Sequence, residues 1–236
     1  MSKSGLVGIL LGIIFAFITW VATGNLIVSG VILLLTILEF FLFINKRFKA
    51  YQIKLTRFRE CYHFVNNFIV SLSIKGSILS SLENVTAGAS DELLDHLDGV
   101  KDLNEHEKIQ YLNRYFPFYS YQLFLDVILL WLEEGGDILE MSQYLTNNLR
   151  SEEEYIAHCE KVNKKTMFEF AVLWGFTIVI IFVLRFVLSS FYELFTKQFL
   201  YVVGIAMVFI LALLSIEILT RKMVNVEIKG WKDERK

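Results

Sequence analysis

Four long apolar runs, arranged as two close pairs, set the limits on what this chain can become. Residues 5–23, 25–44, 167–190 and 198–219 carry few charges, and each is long enough to cross about 30 Å of hydrocarbon as a helix. In lipid every backbone N–H and C=O must be satisfied within the segment, so an isolated run of this kind has to be helical. Each pair therefore reads as a transmembrane hairpin: 1–44 forms the first and 167–222 the second. Between them lies a polar stretch, residues 45–166, and a basic tail, 223–236, follows. Composition agrees: 55% of residues are hydrophobic and the mean hydropathy is +0.50, too apolar for an ordinary soluble domain. The single proline, Pro117, suits long unbroken helices.

Charge sets the expected topology. Lys46, Arg47, Lys49, Lys54, Arg57 and Arg59 follow the second run. Lys161, Lys164 and Lys165 precede the third, and Arg221, Lys222, Lys229 and Lys232 follow the fourth. By the positive-inside rule these flanks face the cytoplasm, which places both termini and the polar stretch inside. Lys3 ahead of the first run raises a signal peptide, but no small-x-small cleavage site follows, so an uncleaved anchor is expected. Trp20, Tyr192 and Tyr201 are expected as an outer aromatic belt, with Trp231 at the inner interface. Gly8, Gly12 and Ala16 recur every four residues and leave one helix face small enough for close approach. Two charges lie inside the runs. Glu39 is within snorkelling range of the interface, and Arg185, near the outer end of the third run, is expected to snorkel or to pair with Glu193.

The polar stretch has helical periodicity. Phe58, Cys61, Tyr62, Val65, Phe68, Ile69 and Leu72 form one stripe, broken at Lys75-Gly76-Ser77. Ser90 reads as the cap of a short helix with Leu93, Leu94 and Leu97. Asn104 and Glu107 read as a capping box opening a helix through Ile109, Leu112 and Tyr115 that Pro117 ends. Residues 120–132 are apolar nearly all round, which predicts the central buried helix. Gly135-Gly136 then permits a sharp reversal, with Asp137 in the first turn of a helix running into the third apolar run. Gly76-Ser77-Ile78-Leu79 and Gly136-Asp137-Ile138-Leu139 each follow a long apolar helix, a faint internal repeat. The predicted fold is thus an all-α membrane protein, with four transmembrane helices in two hairpins flanking a cytoplasmic bundle of about six helices.

Signs of catalysis are missing. His63, His96, His106 and His158 are scattered, and Cys61 and His63 point to different helix faces, poor geometry for a metal. No phosphate-binding loop, kinase signature or nucleophile elbow appears, so neither enzyme nor cofactor is expected. Two unpaired cysteines, Cys61 and Cys159, read as reduced thiols, and a net charge of −2 argues against nucleic acid as a partner. What stands out is an acidic surface: Glu83, Asp91, Glu92, Asp95, Asp98, Asp102, Glu105 and Glu107 against one basic residue, Lys101. It reads either as a solvated face or as a dock for a basic partner.

In order and spacing these features resemble the type II secretion system protein F family, the inner-membrane platforms of type II secretion and type IV pilus machines, closest to the tight-adherence (Tad) branch. The first-half pattern is carried by residues 64–85 with Lys75-Gly76-Ser77-Ile78-Leu79-Ser80-Ser81-Leu82. The second half carries Phe116-Pro117, then Glu133-Glu134-Gly135-Gly136-Asp137-Ile138-Leu139, then Tyr144-Leu145 and Leu149-Arg150. Leu132 replaces a glycine common in the family, and the middle is short and acidic. The resemblance implies a non-enzymatic platform in a prokaryotic cytoplasmic membrane. Such a platform works as a homo-oligomer or with a second platform protein, contacts a cytoplasmic secretion or pilus ATPase, and acts on pilin-like subunits. Asp91, Glu92, Asp95 and Asp98 are then the candidate ATPase contact. The rival readings are a permease subunit served by a separate nucleotide-binding subunit, which needs polar positions lining the spans, and a membrane-bound sensor or enzyme.

Overall fold

The computed structural model describes residues 3–100 and 102–228, so Lys101, Lys229, Trp231, Lys232 and the remainder of the basic tail lie outside the described residues. Among the described residues the chain is helical throughout, with no strand. The helices are α1 (Lys3–Thr23), α2 (Leu26–Glu39), α3 (Asn45–Lys75), α4 (Ile78–Thr86), α5 (Asp91–Asp98), α6 (Glu105–Tyr111), α7 (Tyr119–Glu134), α8 (Ile138–Met141), α9 (Gln143–Val187), α10 (Ser189–Thr196) and α11 (Phe199–Val224). Among the described residues three helices are long and apolar enough to cross a membrane: Leu26–Lys75, Gln143–Val187 and Phe199–Val224. Gly8–Thr23, within α1, is a shorter apolar helix. These lengths and compositions fit a membrane protein. Two compact units are present, one comprising Met1–Tyr51 with Cys159–Asn225, the other Gln52–His158 with Val226–Lys236.

In the first unit α1 and α2 form a hairpin. Gly24 (φ 67°) makes the reversal, and the Asn25 side chain caps α2 by accepting from the Ile27 N–H at 2.9 Å. The small-residue face of α1 is the packing seam. A Cβ on Gly8 would sit 2.2 Å from the Phe40 ring and one on Gly12 would sit 3.2 Å from Ile37, while Ser29 donates to the Ala16 carbonyl at 2.6 Å. Ile18, Ile32 and Phe209 form a buried cluster with Phe15, Ile178 and Ile205 against it. At Phe40–Ile44 the helix widens into one π-turn before α3. The third run ends earlier than its sequence suggests, at Val187. The expected short link is itself helical, because Leu188 breaks the chain only briefly before α10.

The second unit has an aromatic core. Ring centroids lie 5.4 Å apart for Phe58–Phe118, 5.6 Å for Phe64–Phe116 and 5.3 Å for Phe68–Phe124. Within the helices Phe64 lies 6.3 Å from Tyr121 and Phe68 lies 5.3 Å from Phe124, so contacts advance in the same direction along α3 and α7, which run parallel. The N-terminal part of α7 meets α9 through Ser120, which donates to Glu152 at 2.7 Å and accepts from Asn148 at 3.3 Å.

Three expectations need correction here. The helix opened by the Asn104–Glu107 capping box tightens into a 3-10 turn at Leu112–Arg114 before Pro117 is reached. The residue before a proline is disfavoured in the α region, so the ending comes early. α7 is not buried all round: Tyr121, Phe124 and Ile128 face the core, while Leu129, Leu130 and Leu132 are 46%, 41% and 49% exposed. No described element covers that second face fully. The helix after Gly136 also pauses, at buried Ser142, before α9 continues unbroken into the third apolar run. At its end the chain lays Val226 and Ile228, each 6% exposed, into this unit, where Lys54 donates to the Val226 carbonyl.

Candidate functional site

The glycine turns are built as their sequence requires. Gly76, Gly135 and Gly136 have φ of 64°, 70° and 101°, a region that residues with a Cβ rarely adopt. Trp131 Nε1 donates to the Gly136 carbonyl at 3.2 Å and Asp137 caps α8 by accepting from the Leu139 N–H at 2.8 Å. Because α3 and α7 are parallel, the turns that follow them lie at the same end of the second unit. The internal repeat extends well past the four-residue match. At one constant offset Phe58, Cys61, Phe64, Phe68 and Val85 correspond to Phe118, Tyr121, Phe124, Ile128 and Leu145, all buried. Leu79 and Leu139 correspond as well, 48% and 50% exposed. Leu72 and Leu132 break the match, one buried and the other open.

The acidic residues divide. α5 is capped by Ser90, which accepts from the Leu93 N–H at 3.2 Å. Asp91, Glu92, Asp95 and Asp98 are all exposed on it. Glu92 is tied to the fold: its carboxylate accepts from Arg57 at 2.7 Å, and Arg57 lies 5.0 Å from the centre of the Tyr115 ring. Tyr115 in turn donates to Glu60 at 2.7 Å, and the other Glu60 oxygen accepts from the Ser90 N–H at 3.2 Å. Burial, and then the hydrogen bond to Glu60, push the Tyr115 phenol well above its ordinary pKa. Glu92 thus belongs to a network anchoring α5 on α3, and Asp91 and Asp95 project without such a tie.

The two charges inside the apolar runs have different surroundings. Arg185, expected either to snorkel or to pair with Glu193, takes other partners among the described residues. It donates to the Val21 carbonyl, and its guanidinium lies 5.3 Å from the Tyr192 ring centre. Tyr192 also donates to the carbonyls of Val21 and Ala22, and Tyr201 donates to Ala22 at 3.3 Å. These groups satisfy the carbonyls that α1 leaves open at its C-terminal end. Tyr192, expected in an outer belt, is instead 8% exposed, while Trp20 remains 45% exposed. Glu39 stands just before the π-turn with Oε1 buried and without a hydrogen-bond partner. Nearby in the same unit Glu217 accepts from Arg221 at 2.6 Å and lies 3.5 Å from Arg47.

Sequence reasoning missed one site, a pocket of about 320 Å³ between α6 with its 3-10 extension and α7. Its polar lining is His106, Gln110, Asn113 and Asp126, and its apolar lining Ile109, Leu125, Ile128 and Leu129. Gln110 contacts His106 Nε2 at 3.2 Å, leaving His106 Nδ1 and Asn113 Oδ1 buried without partners. The signal lay in the i, i+3, i+4, i+7 spacing of 106, 109, 110 and 113, which puts four residues on one helix face.

Cys61 is fully buried with its thiol pushed up by burial, and His63 on the other face is exposed. Among the described residues no cluster of His, Cys, Asp and Glu is arranged to hold a metal ion. The chain matches no protein-family model, no curated protein and no solved structure.

Proposed function

We propose that this chain is a membrane platform of a type II secretion or Tad-like pilus machine, coupling a cytoplasmic ATPase to the assembly of pilin-like subunits. The observation that carries the reading is the continuity of two helices. Leu26–Lys75 and Gln143–Val187 each begin or end in an apolar run and extend without a loop into the aromatic-cored helical unit. A displacement applied to that unit then reaches the apolar runs through hydrogen-bonded helix and not through a flexible linker. Parallel glycine-turned hairpins and an exposed acidic helix are further support, in line with the family pattern of residues 64–85 and 116–150.

In this reading α1, α2, the apolar part of α9 and α11 are four spans in two hairpins. The basic flanks hold both termini and the helical bundle on the cytoplasmic side of a prokaryotic membrane. The chain performs no chemistry of its own; it oligomerises, alone or with a second platform protein. Asp91 and Asp95, with Asp98, form the electrostatic contact for the ATPase, steering a basic surface into place. Glu92 contributes only through α5, which it helps hold.

A mild-detergent pull-down of the tagged protein tests the assignment. Recovery of a hexameric secretion-type ATPase with pilin-like subunits is the expected result, and charge reversal at Asp91, Asp95 and Asp98 reduces ATPase recovery. A transport-type nucleotide-binding subunit in its place would make the chain a permease component and overturn the proposal. Undiminished ATPase recovery by the reversed variant at low salt removes α5 as the contact.

A further inference from the structure

We propose that the pocket between α6 and α7 receives an arginine side chain presented by a partner protein. The pocket's hydrogen-bonding inventory is incomplete. Gln110 Nε2 has only hydrogens to give, so His106 Nε2 is the acceptor in their 3.2 Å contact and the neutral ring carries its proton on Nδ1. That Nδ1–H has no acceptor, and Asn113 Oδ1 has no donor. Asp126 is exposed and forms no ion pair or hydrogen bond with any described residue. One buried atom thus asks for a donor and one for an acceptor, and buried polar groups left in that state call for an explanation, while the exposed Asp126 carboxylate beside them adds a negative charge.

Water alone would answer the polar atoms, but half of the lining is aliphatic: Ile109, Leu125, Ile128 and Leu129. A matching ligand combines an apolar stem with a cationic, donor-rich head. Arginine has both, since its methylenes lie along leucine and isoleucine while its planar fork serves a carboxylate and an amide oxygen together. The peptide carbonyl of the same residue is the acceptor that His106 Nδ1 lacks. An anionic ligand is disfavoured by Asp126 and by Glu105 and Glu107 on α6. The volume of about 320 Å³ is at the small end for ligand sites and suits one long side chain with its peptide group. The inference goes beyond the platform reading and does not depend on it.

The test uses the full chain in lipid nanodiscs with ¹³C-methyl-labelled isoleucine and leucine, titrated with N-acetyl-arginine amide. The expected result is saturable movement of the Leu125 and Leu129 methyl signals. Affinity falls about tenfold in Asp126→Asn, the size of a hydrogen bond to a charged group, and stays unchanged in Glu140→Gln, an exposed carboxylate on α8. N-acetyl-citrulline amide, neutral but similar in shape, produces no saturable shift. Equal binding of the citrulline probe, or equal weakening by Glu140→Gln, overturns the proposal. Binding of N-acetyl-lysine amide as tight as that of the arginine probe overturns the assignment to arginine.

Discussion

Single polar groups show where this protein ties loose ends. Arg185 and Tyr192 are held by the open carbonyls of α1, a use of charge that no spacing in the sequence announces, because the partners lie far apart in the chain. Tyr115 links Glu60, Arg57 and His96 around α5, with the His96 ring centre 4.7 Å from its own. Its phenol is raised above the ordinary value of 10.0 by burial and by Glu60. A group whose native pKa is raised adds stability that is complete below its unfolded value and is lost as pH climbs beyond it. Thermal stability should therefore decline above about pH 10, and Tyr115→Phe should flatten that decline. A melting series across alkaline pH checks this; equal slopes in both proteins would reject it. Gly136→Ala meets the left-handed backbone at φ 101° and should cost about 1–3 kcal/mol. Gly30→Ala, within α2 and with open space at its Cβ position, serves as the comparison in denaturant unfolding and should fall within about 0.5 kcal/mol of wild type.

Among the elements, the α1–α2 hairpin and the two glycine-turned hairpins were legible because each depends on local chemistry. Gly8, Gly12 and Ala16 gave the seam, Ser90 gave a cap, and Asn104 with Glu107 gave the capping box. Gly8→Leu places a side chain where the Phe40 ring sits and should lower the detergent-solubilised melting temperature, with Gly175→Leu, at an open position on α9, as the control. Similar melting for both variants would show that the notch is not a packing requirement. What escaped the sequence depends on tertiary contact. The apolar outline of α7 said nothing about which neighbours reach it, so Leu129, Leu130 and Leu132 were assigned to the interior and stand largely open. Helical α10 escaped because eight residues between apolar runs look the same as a short loop. The α6–α7 pocket escaped because half of its lining belongs to a different helix.

Across the whole chain, Leu26–Lys75 and Gln143–Val187 each run without a loop between an apolar run and the polar stretch. α9 is the longest single element, at 45 residues, and its sequence passes from Tyr155 and Ile156 through Lys161, Lys164 and Lys165 into the apolar run. The membrane character is legible in the apolar runs themselves, whereas the proposed ATPase partner rests on an acidic surface and a resemblance in motif order. Under the proposed platform function, the measurement that bears most directly on mechanical coupling is filament or secretion output from cells whose copy of this chain carries Lys164→Gly with Lys165→Pro. A proline inside a helix removes a hydrogen bond and costs about 3 kcal/mol or more, so α9 is broken at one exposed place. An alanine pair at the same positions keeps the helix. The account predicts that the broken variant still reaches the membrane and still recovers the ATPase, yet assembles little or nothing, while the alanine pair assembles normally. Equal assembly by the two variants would contradict transmission through α9.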